Sequence, residues 1–206
     1  AVGTITDVGD GWYLCKTVFT THSSATIERC QIGLTTGDGV LPTYAGDGSS
    51  GLYIWGAHFY RSDLGGMQAS GPTATPTYFP TTSAAYYHMG YDHDPANGNA
   101  ARGALFEPAA TNLLTYSQDF SNAAWLKTFT TVTANATTAP DGTMTADRVT
   151  PTISDARINQ SFNPTGALQH NFSVYLRSAT GSSFSTILRA WRNVTFSSDI
   201  CSINSI

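Results

Sequence analysis

Glutamate is almost missing from this chain: Glu28 and Glu107 stand against twelve aspartates, and charged residues of every kind make up only 12% of the 206 residues. Lys and Arg together number ten and Met three, so long solvent-facing helices stitched by ion pairs one turn apart are excluded. No apolar run reaches the ~20 residues a membrane-crossing helix requires, which predicts a soluble chain that avoids the bilayer. A net charge of −4 offers no basic footprint, so no nucleic acid is expected as a partner. The chain opens without Met and without a leader pattern, from which we expect a processed protein or a piece of a longer one.

Cysteine is scarce as well. Cys15, Cys30 and Cys201 lack metal-ligand spacing. The first two lie on consecutive strand-like stretches, WYLCKTVFT and ATIERCQIGL, joined by the polar turn THSS. Folding that pair as a hairpin about residues 22–24 would set them nearly opposite, which leaves a disulfide or two buried free thiols as the alternatives.

What is abundant is the vocabulary of strands and turns. Glycine turns (VGDG at 8–11, TTGDG at 35–39, AGDGSSG at 45–51) punctuate apolar stretches about every ten residues, the rhythm of an antiparallel sandwich or barrel. HNFSVYLR alternates Phe172, Val174 and Leu176 with Ser173 and Arg177, a half-buried strand. Three regions result: strands over 1–80, an extended connector over 81–110 with a short hairpin at DPANG, and strands again over 111–206. Both ends carry uncapped strand residues, so the segments near Ala1 and Ile206 are expected side by side in one sheet. Trp12, Tyr53, Trp55, Trp125, Phe172 and Val174 of these strands are expected to be buried in a single sandwich core built from both halves.

Chemistry is thin on the ground. A glycosidase needs two carboxyl groups roughly 5–10 Å apart, and glutamate supply is poor. No GxSxG elbow, phosphate loop or dinucleotide fingerprint is present, so the chain reads as non-enzymatic. The densest polar cluster, YDHDPANGN, reads as a solvated turn; the competing reading is a structural calcium site made of Asp92, Asp94 and Asn97, hard oxygen ligands at alternate positions. Twenty-four aromatic residues in a polar chain leave some available as stacking platforms for sugar rings, with Tyr86, Tyr87, Tyr91, His58 and Tyr60 as the expected carbohydrate-binding set.

Consecutive motifs then bring a family into view. TNLLTYSQDFSNAAWLK at 111–127 and VTANATTAPDGTMTADRVTPT at 132–152, together with NFSVYLRS, ITDVGDGWYLCKTVFT, YAGDGSSGLYIWGAHFY and PTYFPTTSAA, resemble a jelly-roll, carbohydrate-binding-module-like β-sandwich of tailed-bacteriophage tail and virion proteins. Here the pieces stand in rotated order, the usual second half first. The resemblance implies an all-β antiparallel sandwich (jelly-roll or concanavalin-like) with little helix, assembled from the N- and C-terminal halves, and a structural calcium near Asp119. The sandwich could be closed within the chain, completed by a neighbouring subunit, or be one period of a tandem array. The departures from the pattern lie at His58, Phe59 and Tyr60 and in an apparent insertion at 61–75.

These readings converge on a structural module of a phage virion, a tail fibre or a similar extracellular fibre. Attachment to a cell-surface glycan is its further role, and other copies of the chain are expected as partners in a homo-oligomer. The alternatives are a filament or ring subunit polymerised by strand exchange without any ligand, and a carbohydrate-active enzyme.

Overall fold

The computed structural model describes residues 2–21, 27–35, 45–61, 78–87, 90–94, 100–105, 110–163, 168–181, 185–192 and 201–204. Among these there is no helix. One sheet has the order β1 (Val2–Gly9), β2 (Trp12–Thr20), β13 (Gln169–Ser178), β4 (Leu52–Arg61), β11 (Ala146–Pro151), β10 (Thr130–Thr137). The other has the order β15 (Cys201–Asn204), β14 (Ser185–Arg192), β3 (Glu28–Thr35), β12 (Arg157–Phe162), β9 (Leu126–Thr128). Two short ladders stand apart: β5 (Tyr86–Tyr87) with β8 (Ala110–Asn112), and the hairpin of β6 (Gly90–Asp94) with β7 (Ala100–Leu105). All pairings are antiparallel, and the two large sheets form the expected all-β sandwich.

Both halves of the chain enter both sheets. β13 lies between β2 and β4, with Val174 opposite Cys15 and Phe172 opposite Phe59, while β3 lies between β14 and β12. The ends of the chain meet differently from expectation. β1 and β15 are the edge strands of separate sheets, with Cα atoms within 8 Å across the sandwich. They are facing edges and not ladder partners.

Two local devices shape the first sheet. Gly9, Asp10 and Gly11 all have positive φ (92°, 53° and 74°) and turn β1 into β2, a conformation that costs glycine little. Gly56 (φ 67°) forms a bulge, since the β13 ladder steps from Ser173–His58 to Tyr175–Trp55. Up to Ile54, β11 covers the edge of β4. Beyond the bulge the 112–117 segment takes over, with Ala57 N donating to Ser117 O (2.9 Å) and Leu113 N to Phe59 O (2.7 Å).

The period-two alternation of β4, β13 and β12 sends Ile54, Phe59, Phe172, Val174, Leu176 and Ile158 between the sheets, where Trp125 and Phe120 close one end with ring centroids 4.7 Å apart. Each fully buried side chain of this size contributes about 1.5–3 kcal/mol. Trp12 and Trp55 are buried too, but elsewhere. They lie on the opposite face of the first sheet in a second cluster with Ala139 and Ala146, flanked by Tyr53, Tyr78 and Tyr175. The Arg177 guanidinium sits over the rings of Trp12 (4.9 Å) and Tyr53 (5.0 Å). The single core expected from sequence is therefore two, because the pleat puts Trp55 on the side of β4 that Ile54 does not face.

Cys15 and Cys30 are fully buried free thiols. The hairpin expected to join them does not form: β2 belongs to one sheet and β3 to the other. Burial pushes the Cys30 thiol well up, helped by the charge of Glu28.

Candidate functional site

The turn around Asp119, where the resemblance implied a structural calcium, is held by its own side chains. Asp119 is exposed and its Oδ1 accepts from Ser121 Oγ (2.5 Å) and Asn122 N (3.1 Å), which tightens the turn before Trp125. The carbonyls of that turn converge on a cation that the chain itself supplies: Lys127 Nζ donates to the oxygens of Phe120 (3.3 Å), Ser121 (2.8 Å) and Asn122 (2.6 Å). Asp147, almost wholly buried, closes the arrangement by accepting from Phe120 N through Oδ2 (2.8 Å) and from Asn135 N through Oδ1 (2.9 Å). Desolvation raises the Asp147 pKa and lowers that of Lys127, the latter against the pull of Asp119 and Asp147. The carbonyls that follow Asp119 thus carry the Lys127 ammonium. Asp92 and Asp94 lie on β6, and Asn97 falls outside the described residues. Among the described residues no group of three or more His, Cys, Asp or Glu is arranged to hold a metal.

The expected aromatic platforms are distributed just as unevenly. Tyr86 and Tyr87 form β5, opposite Asn112 and Ala110, and Tyr91 lies on β6 opposite Ala104. His58 and Tyr60 are buried, at 4% and 6% exposure. His58 packs on Tyr60 (4.7 Å) and on Tyr78 (5.7 Å), and the Tyr60 hydroxyl accepts from Asn171 Nδ2 (2.6 Å). Neither offers an open ring face, because the segment carrying Tyr78 lies over this side of β4.

An open cleft of about 530 Å³ lies instead at the far edge of the second sheet. β9 pairs with Arg157–Asn159 of β12, and among the described residues the rest of β12 has no neighbour strand on that side. The gap is lined by Arg29, Ser161, Asn163 and Leu126, by the buried Asn159, and by Phe162, whose ring also packs on Phe59 (centroids 4.3 Å apart). Its floor is fixed by Gln160, whose amide accepts from Thr115 N (2.8 Å) and donates to Thr115 O (3.0 Å), standing in for the missing strand. Arg29 Nε donates to Ser161 Oγ (3.1 Å), which holds the guanidinium against the cleft wall. Leu126 is 60% exposed.

Amide, hydroxyl and guanidinium groups stand here beside apolar carbons in an open cleft, and the volume lies within the usual range for small-molecule sites. Residues 157–162, RINQSF, fall within the strands expected over 111–206, where the sequence reading assigned them no chemistry. The available signal was the run of Asn159, Gln160, Ser161 and Asn163 around one aromatic. Comparison with protein-family models, curated proteins and solved structures found no match for this chain.

Proposed function

We propose that this chain is a non-enzymatic β-sandwich module of a phage virion, a tail fibre or a similar extracellular fibre, and that it attaches to glycan through the cleft beside β12. The observation that carries the reading is the cleft itself, in which Ser161 and Asn163 offer polar groups beside the exposed Leu126 and the partly buried Phe162. Sugars present this duality, with hydroxyls around the ring edge and C–H groups on its faces. The motif resemblance to phage tail modules supports the setting, outside the cell or on the virion. A glycan array probed with the purified protein, followed by titration of hits against Asn163→Ala and Phe162→Ala, tests the reading. Binding that both substitutions weaken at least tenfold supports it, and binding that neither changes removes the cleft from consideration.

A second reading, self-assembly, has its own observation. β1 is an edge strand exposed along Gly3–Gly9, with Ile5 at 39% and Val8 at 44% exposure. It carries no Pro or Lys to discourage pairing with another strand.

A further inference from the structure

We infer that β1 pairs with β1 of a second copy across a two-fold axis at Ile5, so that assembly closes at a dimer and builds no filament; this rests on the self-assembly reading above. Residues 2–8 of β1 are nearly a palindrome: VGTITDV reads the same in both directions except where Gly3 answers Asp7. When two copies of one strand pair antiparallel about a two-fold axis, positions equally far on either side of that axis come to lie opposite each other. An axis at Ile5 therefore sets Ile5 against Ile5, Thr4 against Thr6 and Gly3 against Asp7 of the other copy. Thr–Thr pairs stabilise such a ladder, and like charges directly opposite destabilise it. The Ile5 register supplies the first on both sides of the axis and keeps the two carboxylates apart.

The four edges of the two large sheets differ in how they are guarded. β10, the far edge of the first sheet, is broken between Thr133 and Thr137, where Asn135 has a φ of 51°. Among the described residues β9 and β15 edge the second sheet with only three and four residues. Bulges and short strands are the devices that keep sheet edges from pairing. β1 has neither along residues 2–7, which run in unbroken register against β2, and it is exposed along residues 3–9. Its one charge, Asp7, is turned to its own bend, where Oδ1 accepts from Gly9 N (2.8 Å). Ile5 and Val8 are two of the large apolar side chains left in solvent. A single unguarded edge means that the contact uses the same patch on both copies, and a patch that pairs with itself is used up after two.

Sedimentation of the whole chain should give a mass that rises with concentration from one copy and levels off at two. The register is read by cross-linking with diamide, which takes up the two thiol hydrogens as the disulfide forms. Thr4→Cys mixed with Thr6→Cys should yield about fivefold more covalent dimer than either variant alone, after subtraction of what the parent's own cysteines give. Adding Ile5→Lys to both chains should abolish the excess. Thr4 and Thr6 are exposed, and unchanged thermal melting shows that the variants fold. A mass that keeps growing past two copies would overturn the closed dimer while leaving self-assembly intact. Covalent dimer no greater in the mixture than in either variant alone would overturn the two-fold at Ile5, and a dimer that Ile5→Lys leaves unchanged would overturn the choice of β1. A parent monomeric at every concentration would overturn both the inference and the self-assembly reading beneath it.

Discussion

The ammonium of Lys127 lies 2.6 Å from the carbonyl oxygen of Asn122, five residues back along the chain. With the Phe120 and Ser121 carbonyls beside it, the contact ties the first residues of β9 to the turn that delivers Trp125 into the core. Lys127→Met keeps the stem and removes the charge, so the three carbonyls lose their donor. We expect a loss of about 1–2 kcal/mol in chemical denaturation, reduced from the buried value because the site is partly exposed. Since the carbonyls are taken, chelator should leave the melting temperature of the parent protein unchanged; a fall on chelation would show that metal competes for this cage.

Asn112 makes a comparable tie in the interior. Fully buried, it accepts from Phe59 N (3.1 Å) and Leu114 N (3.2 Å) and donates to Ala57 O (2.9 Å) and Phe79 O (3.1 Å). One amide thus binds β4, the 78–81 segment and the chain leading to Trp125. Asn112→Ala removes the partner of two buried donors, Phe59 N and Leu114 N, and of the buried acceptor Ala57 O, and should cost about 3 kcal/mol or more. Asn112→Asp, which can accept but not donate, should also destabilise at neutral pH. A loss under 1 kcal/mol for Asn112→Ala would show that other groups cover those backbone atoms.

Two aspartates pull the pH dependence in opposite directions. Desolvation raises the Asp147 pKa above its ordinary 3.8, so the native state holds that proton more tightly than the unfolded chain. Its contribution is greatest below pH 3.8 and is lost as pH rises through the folded value. Asp47 accepts from Ser50 Oγ, Ser50 N and Ser49 N, and these bonds lower its pKa. Its contribution is present above the unfolded 3.8 and is lost as pH falls. Asp147→Asn also turns an amide N–H₂ against one of two backbone donors, so the variant is less stable throughout. The gap from the parent should be widest at the acid end and narrow toward pH 7. Denaturation curves at steps from pH 3.5 to 7 measure it, and a gap that widens with pH would contradict the raised Asp147 value.

Much of this architecture is written in short-range pattern. Alternation in HNFSVYLR placed Phe172, Val174 and Leu176 on one face, and that face is the interlayer core. Glycine spacing marked the turn between β1 and β2. Alternation divides a strand into two faces but does not say which face meets the second sheet when both are apolar. β4 is such a strand, and Trp55 accordingly lies in an outer cluster with Trp12. Lys127 was equally opaque, since a lysine in a strand reads as solvated until the turn at 120–122 aims its carbonyls inward. The cleft was hidden because it depends on β9 stopping short of Gln160, a difference in strand length that no residue type announces.

The exposed edge strand bears on assembly, and it can be tested without harming the fold. Ile5 lies opposite Cys15 in the β1–β2 ladder, so its side chain points to the interlayer side, yet 39% of it remains exposed at the sandwich rim. Val8 is still more open at 44%. Replacing Ile5 with Lys therefore removes modest burial, about 1 kcal/mol of it, while placing on the edge the residue type that most discourages strand pairing. If copies of the chain join through β1, the parent should show a mass in sedimentation that rises with concentration, and Ile5→Lys should reduce it to the monomer with little change in melting temperature. A second variant, Thr6→Pro, removes one backbone donor of β1 and should act in the same direction wherever that donor faces outward. A parent protein monomeric at every concentration would exclude self-assembly through this edge.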